Sequence, residues 1–157
     1  MKRLIPVAAA CLILTAAAQE KTLMNHHASG TFEVKLVPQK QDNPPAAAAN
    51  LGRMSIDKQF RGDLDAVSQG EMLSFMTEVK GSGAYVAIER VTGSLGGRAG
   101  SFVLQHNGTM SRGTPQLSVT VVPDSGTGEL TGLTGTFEIK IEGGKHFYEF
   151  DYSLPAE

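Results

Sequence analysis

Gly93-Ser94-Leu95-Gly96-Gly97-Arg98-Ala99-Gly100-Ser101-Phe102 recurs 35 residues later as Gly128-Glu129-Leu130-Thr131-Gly132-Leu133-Thr134-Gly135-Thr136-Phe137. Both stretches fit G-x-L-x-G-x-x-G-[ST]-F. Glycines at fixed offsets within β-rich sequence mark places where backbone bends tightly or passes close to other backbone. Two such corners at equivalent places predict an antiparallel sheet curled into a small barrel.

The sequence around these corners alternates as strands do. Phe32, Val34 and Leu36 alternate with Thr31, Glu33 and Lys35, which predicts a first strand over 30–37. Residues 38–50, with Pro44-Pro45 and four alanines, read as a loop. Met54, Ile56 and Phe60 share one side of a strand over 52–60. Residues 62–79 read as one long strand bent near Gly70, or as two strands joined there. Met72, Leu73, Phe75 and Met76 interrupt the alternation, so the inward face is open, and a helix over 71–80 is the alternative. Strands over 84–94, 100–110, 116–122, 134–142 and 145–153 follow, separated by glycine-rich turns. Eight or so strands in a meander predict an all-β fold: a single eight-stranded antiparallel up-and-down β-barrel over 29–154.

Turn length sets register, and register sets which side chains are neighbours. A two-residue turn at Gly96-Gly97 pairs Leu95 with Arg98, Val91 with Phe102, Glu89 with Leu104 and Ala87 with His106. A turn at Arg112-Gly113 pairs Val119 with His106 and Val121 with Leu104. A turn at Gly143-Gly144 pairs Ile141 with His146, Ile139 with Tyr148 and Phe137 with Phe150. The opposite face there carries Glu138, Glu149 and Lys140 and should meet water. Three turns thus assign one apolar face, and one carboxylate stands in it.

That carboxylate is Glu89. His106 lies diagonally across, about 7 Å away by ordinary sheet spacing and within side-chain reach. A buried carboxylate costs several kcal/mol unless it is paired or protonated. Glu89 and His106 are therefore the candidate catalytic residues. Tyr85, Glu89, Leu104, His106 and Tyr148 are the candidate ligand-binding set. The competing role is a satisfied structural pair, with Arg90, Gln105 or water completing it. Met54, Met72, Met76 and Met110 read as adaptable packing.

The remaining chemistry is sparse. Lys2 and Arg3, an apolar run from Leu4 to Leu14 and Ala16-Ala17-Ala18 read as a cleaved secretory signal over 1–18. Lipidation at Cys11 is the less favoured alternative. Residues 19–28 read as a flexible start. Cleavage after Ala18 removes the only cysteine, and with it thiolate chemistry and cysteine-based zinc sites. Losing Lys2 and Arg3 leaves twelve basic against sixteen acidic side chains, net −4. No basic cluster stands out, so nucleic acid is not an expected partner. No further apolar run is long enough to span a bilayer. His26 and His27 are adjacent in extended chain and point apart, so no metal site is expected there. Gly126-Thr127-Gly128 lacks the helix a phosphate-binding loop needs. Asn107-Gly108-Thr109 has the form of a glycosylation acceptor but falls within a strand.

Glu89-Arg90-Val91-Thr92-Gly93-Ser94-Leu95-Gly96-Gly97-Arg98 and Gly100-Ser101-Phe102-Val103-Leu104-Gln105-His106 resemble an uncharacterised bacterial family of unknown function. So do the 117–130 stretch and Gly144-Lys145-His146. The resemblance covers roughly 29–154. That family resembles allene oxide cyclase and dirigent proteins in fold, and Gly126-Thr127-Gly128-x-Leu130-x-Gly132-x-x-Gly135 is similar to a run in that wider group. The resemblance implies an allene oxide cyclase-like barrel with a central cavity. It brings no catalytic assignment.

The leading expectation is an exported barrel that binds a small apolar ligand, with isomerase or cyclase chemistry as its catalytic extension and no cofactor. The competing class is a structural protein with a packed barrel, self-associating as a homodimer.

Overall fold

Three tight turns organise the molecule, and each has positive φ at both central residues: Gly96-Gly97 (57°, 83°), Arg112-Gly113 (49°, 90°) and Gly143-Gly144 (56°, 77°). That geometry matches the right-handed twist of paired strands. The computed structural model describes residues 22–156. Its strands are β1 Leu23–Pro38, β2 Gly52–Gly62, β3 Leu64–Met76, β4 Gly83–Leu95, β5 Arg98–Ser111, β6 Thr114–Val121, β7 Thr127–Gly128, β8 Thr134–Glu142 and β9 Lys145–Pro155. A short helix, α1 Pro44–Ala48, interrupts the β1–β2 connection.

Every pairing is antiparallel, and β1, β2, β3, β4, β5, β6, β8 and β9 close on themselves in that order. The fold is therefore an eight-stranded barrel. β7 lies outside the ring, paired to β5 through Gly100–Gly128 and Ser101–Thr127. The registers expected from the three turns are those observed.

Two expectations differ from the structure, and one open reading is decided by it. Residues 23–28, read as part of a flexible start, belong to β1, paired with 150–155 of β9. Their inward Ala28 is buried, while outward polar residues gave the stretch the look of a tail. Of the two readings of 62–79, the single long strand is observed, as β3 running through Gly70, and its alternation puts Leu64, Ala66, Ser68 and Met72 inside. Residues 71–76 are strand, not helix, and Leu73 and Phe75 are exposed on the outer face. The two glycine repeats are also not equivalent corners. The first is the β4–β5 hairpin. The second is β7, a run of turns and the start of β8. They pack on one another: Ala99 and Glu129 exchange backbone and side-chain hydrogen bonds of 2.9 and 2.8 Å. Each sends its leucine and phenylalanine (Leu95 and Phe102, Leu130 and Phe137) into the core. The expected signal segment and Cys11 lie outside the described residues.

The core fills one end of the barrel. Phe60, Leu64, Leu95, Phe102, Phe150 and Tyr148 are fully buried there, and Leu130 and Leu133 plug the end from the β7–β8 segment. Ring contacts run through it, among them Phe102–Phe150 at 5.7 Å, Phe137–Tyr148 at 5.2 Å and Phe60–Tyr148 at 5.9 Å. Each buried aromatic contributes roughly 1.5–3 kcal/mol from burial alone. The other end is looser. β6 and β8 meet through a single residue pair, Thr120–Thr136, and diverge beyond it. Leu36, Leu117 and Ile141 at that end are 45 %, 44 % and 66 % exposed.

Candidate functional site

Between the packed end and the open end, four neighbouring strands each contribute one inward polar side chain. They are Lys58 of β2, Ser68 of β3, Glu89 of β4 and His106 of β5, all buried. Glu89 is at the centre. Lys58 Nζ donates to its Oε1 at 2.6 Å, and Ser68 Oγ donates to its Oε2 at 2.6 Å. His106 Nε2 bonds Oε1 at 2.8 Å. An ionised carboxylate only accepts, so Nε2 carries the proton. Burial acts to raise the Glu89 carboxyl, but the His106 hydrogen bond and the Lys58 charge overcome it and hold the group at about 2.

The backbone explains this convergence. Gly70 of β3 is paired with Glu89, and a Cβ there would come within 2.7 Å of Glu89 Cα and Cβ. The glycine lets the two strands close on each other beneath the carboxylate.

Above the cluster the barrel opens into an apolar cleft of about 340 Å³. Phe32, Ile56, Met72, Leu117, Ile139 and Ile141 are among its walls, and Lys58, His106, Tyr85 and His146 are its polar lining. Among the described residues Lys58 makes one hydrogen bond, to Glu89, and its ammonium stands 5.1 Å from the Phe32 ring and 5.8 Å from the Phe60 ring. An ammonium has three N–H donors, so two are left. Tyr85 lies across Gly108, its partner on β5, where any side chain would collide with the ring. Burial, then the Glu89 charge, push the Tyr85 phenol above its ordinary value.

The expected site residues divide. The structure brings Glu89 and His106 into direct contact and sets Tyr85 beside them, its ring 6.5 Å from the His106 ring. Leu104 and Tyr148 are wholly buried in the core and do not line the cleft. Tyr148 serves the packed end: Leu64 N–H donates to its hydroxyl at 2.8 Å, and the hydroxyl donates to the Arg61 carbonyl at 3.4 Å. Lys58 and Ser68 were missed. Lys58 falls in the inward row between Ile56 and Phe60, and that position was its signal. Arg90 and Gln105, offered as partners for the pair, are exposed on the outer face.

Elsewhere, His26 and His27 point apart. The His26 ring stacks on Tyr152 at 5.1 Å, while His27 bridges Asp151 at 2.7 Å and Glu149 at 2.9 Å. A hollow of about 510 Å³ lies against the 39–50 connection. Its Arg53 is engaged by Asp42 and Glu71, and it does not reach the Glu89 carboxylate. Among the described residues no helix is long and apolar enough to cross a membrane.

The family described as "Protein of unknown function (DUF3224)" matches residues 28–152. The chain belongs to the DUF3224 family. A solved structure of a DUF3224 protein of unknown function from Shewanella oneidensis MR-1 is similar to it, at 56 % identity and a TM-score of 0.77. That similarity covers 85 % of this chain and 100 % of the other. No curated protein matches. The DUF3224 match spans both the packed end and the polar cluster.

Proposed function

We propose that this DUF3224 barrel binds a small, largely apolar molecule through its open end. One observation carries the reading: the interior is filled at one end and hollow at the other, and the hollow reaches a buried polar cluster. Eight strands enclose a space that side chains can just fill or that can hold one small ligand. Here the same ring does both. The cleft lies within the size range of small-molecule sites, and apolar walls with a few converging polar groups are their usual form.

The geometry favours binding over chemistry at Glu89. Its carboxylate already accepts from three donors, and a group held at about 2 has no proton to give near neutral pH and is a weak base there. Glu89 orients Lys58 and His106, and these meet the ligand. Isomerase or cyclase activity would have to run through them.

Native mass spectrometry of the protein purified from its own source, followed by extraction of bound small molecules, tests the proposal. A stoichiometric apolar passenger supports it. A passenger-free barrel that takes up no apolar probe contradicts it. Self-association is a second reading, favoured by the exposed outer row of Leu73, Phe75, Val86 and Ile88 on β3 and β4. Sedimentation would show it as a dimer that Val86→Lys dissociates. We also propose export, on the character of residues 1–18; exported material should begin at Gln19.

A further inference from the structure

We propose that the ligand of the barrel mouth is an uncharged molecule whose polar end is a hydrogen-bond acceptor of the ketone, ester or lactone class. This rests on the binding reading above and specifies its chemistry. Among the described residues Lys58 spends one N–H, on Glu89, and keeps two donors in an almost fully buried position, while the Tyr85 hydroxyl, on a half-buried ring, makes no hydrogen bond among them. Buried donors next to apolar walls are costly until something accepts from them. Lys58, a donor with no accepting atom, therefore selects for an acceptor.

Charge decides which acceptor. The Lys58 ammonium is already neutralised by Glu89, whose Oε1 is 2.6 Å from Nζ. A carboxylate brought up to Lys58 would also approach the Glu89 carboxylate, and its own desolvation would go uncompensated. A carbonyl oxygen accepts the same N–H bond with far less desolvation and no net charge. Size follows from the cleft volume. At ~30 Å³ each, the share of a water molecule in the liquid, about 340 Å³ holds on the order of ten non-hydrogen atoms.

Three probes of matched size and shape test this: cyclohexyl methyl ketone, isopropylcyclohexane and cyclohexanecarboxylate. Each is titrated into the purified protein, followed by the methyl resonances of the cleft. A hydrogen bond from a charged donor should make the ketone bind about tenfold or more tighter than the hydrocarbon. The carboxylate should bind more weakly than the ketone, and the carbonyl carbon resonance of the bound ketone should move downfield. The double variant Lys58→Met/Glu89→Leu should keep hydrocarbon binding and lose the ketone's advantage. Should that variant not fold, the carbonyl resonance of the wild-type complex decides. A carboxylate that matches or exceeds the ketone, or a hydrocarbon equal to it, overturns this inference and leaves the binding reading standing. If none of the three perturbs the cleft, the binding reading itself fails and this one with it.

Discussion

The two ends of this barrel are built from the same strands and do opposite things. At the packed end Tyr148 lies over Gly30, and its hydroxyl is spent on the Leu64 and Arg61 backbone. At the open end Tyr85 lies over Gly108 in the same manner, and its hydroxyl has no such partner among the described residues. A tyrosine over a cross-strand glycine is thus a closing device in one half and a lining group in the other. What differs is the surroundings. The β7–β8 segment drops Leu130 and Leu133 into one end, whereas β6 and β8 part at the other. Side-chain volume, not strand order, separates scaffold from site.

The largest effect should separate the two halves by stability alone. Phe60→Ala removes a fully buried ring at the packed end and should cost about 3–5 kcal/mol. Ile141→Ala, at an exposed rim position, should change stability by less than about 0.5 kcal/mol. Urea unfolding of both variants gives the comparison; equal losses would mean the mouth is packed as tightly as the core.

The polar cluster at the boundary comes next. Glu89→Gln leaves Lys58 buried beside a neutral partner and should cost about 3 kcal/mol. The Lys58→Met/Glu89→Leu double variant should recover most of this, because apolar replacement of a buried pair is often near neutral. Acid should produce the same loss in the wild type. The folded Glu89 carboxyl is held at about 2, below its ordinary 4.5, so the unfolded chain binds a proton that the folded site refuses. This contribution is complete above the ordinary carboxylate range and drains as pH falls toward about 2. Its size is on the order of 3 kcal/mol. Unfolding measured from pH 6 down to 2 should show that slope, flattened in Glu89→Gln; an unchanged slope would place the acid sensitivity elsewhere.

The smallest contrast sets tyrosine against tyrosine. Tyr148→Phe strands the buried Leu64 N–H and should cost about 1–3 kcal/mol. Tyr85→Phe should be close to silent in stability and should register only in ligand affinity.

Much of this was legible in the chain. Gly96-Gly97, Arg112-Gly113 and Gly143-Gly144 set three hairpin registers, and these place Glu89 and His106 on one wall. Register reveals which face a residue occupies but not how deep it sits along the barrel. For that reason Tyr148 and Leu104 were grouped with Tyr85, although they belong to the packed half. Lys58 was passed over because alternation was counted on apolar residues, and a lysine in an inward row looks like a break in the pattern. Ser68 was hidden by Val67, Leu73 and Phe75, outward apolar side chains that blur the face of β3. The second glycine repeat matched the first in sequence while serving a plug rather than a hairpin, a difference set by where the chain must cross the barrel end.

The most direct test of the account is a methyl-resonance map of the protein titrated with cyclohexyl methyl ketone. Shifts confined to Ile56, Met72, Leu117, Ile139 and Ile141 around the mouth, with Leu64, Leu95, Leu130 and Leu154 unmoved, are the expected result. Shifts at the packed end, or none anywhere, would contradict the division of the barrel into a filled half and a binding half.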